Sequence, residues 1–240
     1  MKYVIINGSP RKKNTWAVVK QIKKSLDGEF EEIQLIKQDI PICNGCFKCF
    51  DGEENCPHFD KVNPIVEKLK KADGLIITSP VYAMNVTSLL KNYIDHTAYL
   101  YHRPALFKLK GLVVVTTAGA GHKDVAKYMD ETLRHWGVNK VYKLSFACGN
   151  EGIDIKSIDK VAKRFRDDVE SGKLHSPKIM DVIFYNVWRR FALDENHIER
   201  DRKYWRETGL INHDFAPEVK LGIFKKLIAK IMFNLFKKMF

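Results

Sequence analysis

The stretch YVIINGSPRKKNT, residues 3–15, runs from four apolar residues into a glycine-started loop with three consecutive cations. The apolar run reads as a buried strand, and WAVVKQIKKSL after the loop has helical spacing. Gly8 permits a sharp turn, and Ser9, Asn14 and Thr15 are short hydrogen-bonding residues. A helix starting here aims unpaired backbone N–H groups and its positive dipole end at whatever fills the loop. Arg11 adds a guanidinium fork suited to phosphate oxygens. The loop is neither a Walker loop, since no GK[ST] follows, nor a G-x-G-x-x-G turn. Two readings stay open: a phosphate cradle, or an ordinary strand–helix loop with a Thr or Asn N-cap.

Working outward, the same strand-then-helix order repeats. Strands are predicted at YVIING, EEIQLIK, GLIITSP, GLVVVTT and VYKLSFA, with helices near 15–27, 60–72, 85–100, 123–136 and 156–172. Three strands are almost continuously apolar, as expected when helices cover both faces of a parallel sheet. The alternation predicts a doubly wound α/β domain over residues 1–176, without fixing the strand order. Residues 177–240 show no strand-like alternation and are expected to form a helical C-terminal extension.

The chain has 240 residues, is 45% apolar and carries a net charge of +12, with a pI near 9.4. That charge suits an acidic partner, whether nucleic acid, an anionic membrane or a phosphorylated cofactor. The cations are dispersed, and no helix-turn-helix, zinc-finger or RNA-binding motif is visible, so no nucleic-acid partner is expected. The opening MKYVIINGSP lacks the features of a signal peptide, and a cytoplasmic location is expected, where disulfides are rare.

Two more strand ends carry unusual loops. After the third strand comes TSPVYAMNVTSLLKNYID, where Pro80 stiffens the exit and Tyr82 and Met84 offer surfaces for a planar heterocycle. Packing of the same two side chains beneath the loop is the alternative. After the fourth strand, TTAGAGH allows close backbone approach to a ligand, or a plain turn. Ligands of doubly wound sheets sit outside the carboxyl ends of the strands, so the three loops together carry more than any one alone.

GSPRKKNT, KADGLIITSPVYAMNVTSLLKNYIDHT and TTAGAG resemble, in order, the NAD(P)H-dependent FMN reductase family of flavodoxin-like proteins. The resemblance spans most of residues 1–150 and implies a flavodoxin-like five-stranded parallel sheet that binds FMN noncovalently. By position it implies Ser9, Arg11, Asn14 and Thr15 at the FMN phosphate. Pro80, Val81, Tyr82, Ala83, Met84 and Asn85 would line the isoalloxazine ring. Thr117, Ala118 and Gly119 would meet its pyrimidine side. Asp95-His96 departs from the Asp-Arg common in the family.

CNGCFKCFDGEENCPH places Cys43, Cys46, Cys49 and Cys56 at C-x2-C-x2-C-x6-C-P spacing, close to a ferredoxin run. It resembles the motif of iron–sulfur flavoproteins, a branch of the same family, which implies a [4Fe–4S] cluster. A structural zinc, a redox-sensitive disulfide and an unmetallated lid over the flavin remain alternatives; zinc sites more often pair two separated knuckles. Cys148, ending an apolar strand, is expected in the core.

The function implied is an oxidoreductase carrying electrons from NAD(P)H through FMN to an unidentified acceptor. Hydride transfer from nicotinamide to flavin needs no acid–base side chain, so no catalytic residue is nominated; His122 is read as a solvated loop histidine. The alternative is a flavin, or iron–sulfur flavin, electron carrier or redox sensor without NAD(P)H turnover. A homo-oligomer is expected. In the C-terminal helix Phe224, Leu227, Ile228, Ile231, Leu235 and Met239 share a face, with lysines largely opposite. That face is expected to pack within the protein or its dimer, with an anionic membrane the lesser alternative.

Overall fold

The computed structural model describes residues 1–149 and 152–237. The chain runs β1 (Lys2–Asn7), α1 (Asn14–Lys24), β2 (Glu29–Gln34), α2 (Lys48–Asp51), α3 (Phe59–Lys70), β3 (Gly74–Pro80) and α4 (Ser88–His96). It continues through β4 (Lys110–Thr117), α5 (His122–His135), β5 (Lys140–Ala147), α6 (Ile155–Ser171), α7 (Ile179–Phe191), α8 (Glu199–Glu207) and α9 (Ile223–Lys237). The five strands pair in parallel in the order β2-β1-β3-β4-β5, a flavodoxin-like doubly wound α/β fold.

Alternation along the strands builds two apolar layers. Val4, Ile6, Leu75, Ile77, Val113 and Val115 face α3, α4 and α5, whose Val66, Leu90, Met129 and Leu133 are buried against them. Tyr3, Ile5, Ile76, Leu112 and Val114 point the other way, onto Val18, Val19 and Ile22 of α1 and Ile158 and Phe165 of α6. With both faces covered, β1, β3 and β4 carry unbroken apolar runs through their middles. The order reverses between β1 and β3, which places a crevice outside their carboxyl ends.

β2 ends three residues earlier than its predicted end at Lys37. Its last pairing is Gln34 with Asn7, where β1 itself ends; Leu35–Lys37 then form a 3-10 turn with Leu35 buried. The third cluster, around Tyr185, Trp205, Leu210 and Ala216, joins α7 and α8 to the segment that follows them. It is tied to the sheet domain by Trp205 Nε1 donating to His102 O (2.9 Å) and the Tyr204 hydroxyl donating to Pro104 O (2.6 Å).

α9 lies along α7, but not by the expected face. Ala229 is fully buried, and the Arg189 guanidinium stacks 4.5 Å from the Phe233 ring. Phe224, Leu227, Ile231 and Leu235 are exposed and Ile228 is half-buried; Lys238 and Met239 fall outside the described residues. No helix among the described residues is long and apolar enough to cross a membrane.

Candidate functional site

The loop after β1 is held rigidly from below. Asn7 is buried, and its Oδ1 accepts the Ser9 N–H (2.9 Å) and the Thr78 hydroxyl (3.1 Å). Gly8 N donates to Thr78 O at 2.9 Å. A Cβ on Gly8 would stand 2.8 Å from Thr78 O and 2.9 Å from Leu90 Cβ, so any larger residue pushes the loop off the sheet. The Ser9 hydroxyl donates to Arg11 O at 2.7 Å and so rounds the turn.

α1 then begins with an exposed positive end. Its N-cap is Lys13, which makes no side-chain cap, and its first turn holds no acid. The Thr or Asn cap of the ordinary-loop reading is absent: Asn14 is already helical, and the Thr15 hydroxyl pairs with that of Thr116 at 2.6 Å. An uncapped helix end beside two cations favours an anion.

The loop after β3 forms a tight reverse turn. Tyr82 and Asn85 exchange both backbone hydrogen bonds at 2.9 Å, which forces Ala83 (φ 46°) and Met84 (φ 64°) into the left-handed region. Neither is glycine, so the turn stores roughly 1–3 kcal/mol per residue, a cost that clusters at ligand sites. Arg11 Nη2 donates to the Tyr82 hydroxyl at 3.2 Å and spans the two loops. Thr87 caps α4 by accepting from Leu90 N (3.3 Å), and its hydroxyl donates to Gly8 O (2.7 Å).

A cleft of about 200 Å³ opens between these loops, lined by Ser9, Arg11, Lys13, Asn14, Thr15, Pro80, Val81, Tyr82, Thr116, Thr117 and Ala118. Nine of the thirteen residues expected at FMN therefore share one cleft; Ala83, Met84, Asn85 and Gly119 sit on the adjoining turns. Asn85 Oδ1 accepts the Val86 N–H (2.8 Å). Lys13 and Thr116, outside those thirteen, line the cleft as well. A larger cleft, about 520 Å³, lies along 212–221 against Lys226 and contains no strand-end residue.

Cys148 is not a core residue. It follows β5, half-buried beside Asn14; burial pushes its thiol up and the Asn14 contact opposes this. The strand's apolar pattern ends before it reaches the layer between sheet and helices. His122 is the first residue of α5, not a loop residue; it is half-buried, and its Nδ1 is buried with no hydrogen-bond partner among the described residues.

All four loop cysteines, together with Phe47, His58, Asp95 and His96, line one small pocket, with Cys46 and Phe47 exposed at its rim. All are free thiols. Burial pushes the Cys49 thiol up to about 11; Cys56 and Cys43 add to this and Arg103 opposes it. No three of the sulfurs lie within 4.8 Å of one another. A tetrahedral zinc with Zn–S bonds of about 2.3 Å would need them about 3.8 Å apart.

Two neighbours hold this loop. On α4, Asn92 accepts the Cys43 N–H (2.9 Å) and donates to Ile40 O (3.2 Å) and Pro41 O (3.0 Å). His96 stands 3.7 Å from Cys56 Sγ through Nδ1 and 2.8 Å from Pro41 O through Nε2. Where an arginine was expected, His96 thus reaches a cysteine. From the other side, Arg103 is 1% exposed and donates to Cys49 O (2.6 Å), Phe50 O (3.1 Å), Glu53 (3.2 Å) and Asp201 of α8. Arg200 reaches Glu53 as well, at 3.2 Å. Asn92 and Arg103 carried no sequence signal, because their partners lie about 50 to 100 positions away in the chain.

A family profile described as NADPH-dependent FMN reductase matches residues 1–151. The chain belongs to that family. It is accordingly an FMN-dependent oxidoreductase, with a nicotinamide cofactor as the family's electron source. An iron-sulfur flavoprotein of Archaeoglobus fulgidus is 30% identical over 224 residues, covering 88% of this chain and all of the relative. One from Methanocaldococcus jannaschii is 30% identical over 190 residues, covering 71% and 98%. Among solved structures, the apo form of an NADH:FMN oxidoreductase aligns over 73% of this chain and 91% of its own, with a TM-score of 0.50 at 22% identity, a likeness of fold.

Proposed function

We propose that this FMN reductase family member holds FMN in the strand-end cleft, accepts electrons from NADH or NADPH, and passes them on through a [4Fe–4S] cluster on the cysteine loop. The observation that carries the reading is the uncapped α1 terminus facing Arg11 and Lys13 over a loop that only glycine can start. Bound FMN supplies the two-electron and one-electron chemistry. Ser9, Arg11, Asn14 and Thr15 bind its phosphate. Pro80, Val81 and Tyr82, with the Ala83–Met84 turn and Asn85 beside them, position the ring. Thr117, Ala118 and Gly119 present backbone to its polar edge. Cys43, Cys46, Cys49 and Cys56 would hold the cluster, a reading supported by their shared pocket and by relatives named iron-sulfur flavoprotein.

The test is a spectrum of anaerobically purified protein with iron and sulfide assays, then steady-state oxidation of NADH and NADPH by the FMN-loaded protein. Flavin and cluster absorption with turnover is the expected result. Cluster and flavin without turnover toward any acceptor supports the second reading, an electron carrier, favoured by the gathering of all four cysteines in one pocket. Protein that fails to take up FMN overturns both.

A further inference from the structure

α9 presents an apolar face that no described residue covers. Ile223 is 89% exposed, Phe224 66%, Leu227 and Ile231 54% each and Leu235 51%. At about 100° per residue these five fall within an arc of about 120°. The helix is fixed to the protein by a different arc: Ala229 is buried, Phe233 lies under Arg189, and Lys225 Nζ donates to Ser176 Oγ at 2.9 Å. The apolar arc is therefore aimed outward by the docking of the helix itself. Lys226 and Lys230 are exposed along one edge of it, and no acidic residue follows Glu218 in the sequence.

Two occupants fit an apolar face of this size, a second copy or a lipid surface, and charge separates them. A second copy related by a two-fold axis meets this face with the same one and offers the lysines no carboxylate from the facing helix, and an antiparallel pairing sets the lysine edges against each other. An anionic bilayer offers acyl chains to the aliphatic arc and phosphates to the lysines. At about 1.5 Å per residue, 15 residues give about 22 Å, short of the roughly 30 Å hydrocarbon core, so the helix lies in the interface.

We propose that α9 is an interfacial anchor that seats this protein on anionic lipid through Phe224, Leu227, Ile231 and Leu235. The test uses the full FMN-loaded chain in flotation with phosphatidylcholine vesicles, with and without about one third phosphatidylglycerol. The expected result is binding to the anionic vesicles at least roughly tenfold tighter than to the neutral ones, weakening with salt. L227E/I231E changes only exposed positions and should keep its flavin and circular dichroism while losing at least roughly tenfold in vesicle affinity. K226E/K230E should lose roughly twentyfold or more on anionic vesicles and little on neutral ones. Absence of binding to anionic vesicles overturns the proposal, and so does equal binding by L227E/I231E. A dimer seen by sedimentation that L227E/I231E dissolves, with no vesicle binding, overturns it in favour of the second copy.

Discussion

Replacing Asp201 by asparagine removes one charge from the junction between α8 and the cysteine loop while keeping the shape of the side chain. Asp201 is 1% exposed, and three groups converge on it: Arg103 on Oδ1, with His102 (2.8 Å) and His197 (3.1 Å) on Oδ2. Burial works to raise its pKa, but the histidine hydrogen bonds and the Arg103 charge outweigh it and hold the carboxyl well below the usual range. Removing one partner of a buried ion pair costs about 3–5 kcal/mol, because the guanidinium stays buried and under-compensated. D201N should therefore lose about that much in urea unfolding at pH 7. A carboxyl with a depressed folded pKa stabilises above its unfolded value and loses that contribution as pH falls through the folded one. The gap between wild type and D201N should thus be full at pH 7 and close as pH falls below about 4. Because Arg103 also donates to Cys49 O and Phe50 O, alkylation of Cys49 should quicken in D201N. A loss under about 1 kcal/mol, or a gap unchanged in acid, would refute the idea that Asp201 fixes Arg103 and through it the loop.

Arg11→Met should weaken FMN binding roughly 10- to 100-fold, the worth of charge-assisted hydrogen bonds, measured by calorimetry; unchanged affinity would remove Arg11 from the phosphate site. At Gly149 an added Cβ would stand 2.3 Å from the Ala118 carbonyl oxygen, so Gly149→Ala must move the loop after β4. It should lower FMN affinity about tenfold with little change in the urea midpoint; retained affinity would show that the loop does not touch flavin. Cys49→Ser should abolish iron and sulfide content while leaving flavin absorption, and a variant that keeps its iron would exclude this thiol as a ligand.

The β1, β3 and β4 strands were legible because burial on both faces leaves unbroken apolar runs such as VII and LVVV. The cleft was legible for a related reason: its residues cluster in three short loops, each attached to one of those runs. What could not be read depends on distance along the chain. Arg103 looks like any loop arginine until the fold brings Cys49, Glu53 and Asp201 around it. α9 shows a second limit. Its periodicity identified an apolar face correctly, yet the helix docks through Ala229 and Phe233, because small and flat side chains allow closer approach than a row of leucines and isoleucines. Periodicity reports which residues share a side, and says nothing of which side finds a partner.

α4 is capped by Thr87, whose hydroxyl is fastened to Gly8 O under the anion loop, and ends at His96, beside Cys56. One short rod thus carries a fitting for the strand-end cleft at one extremity and for the cysteine loop at the other. Their separation is then set by helix length rather than by loop slack, so a one-residue insertion between Leu90 and Asn92 would leave each fitting chemically intact while changing the distance between the cleft and the cysteines.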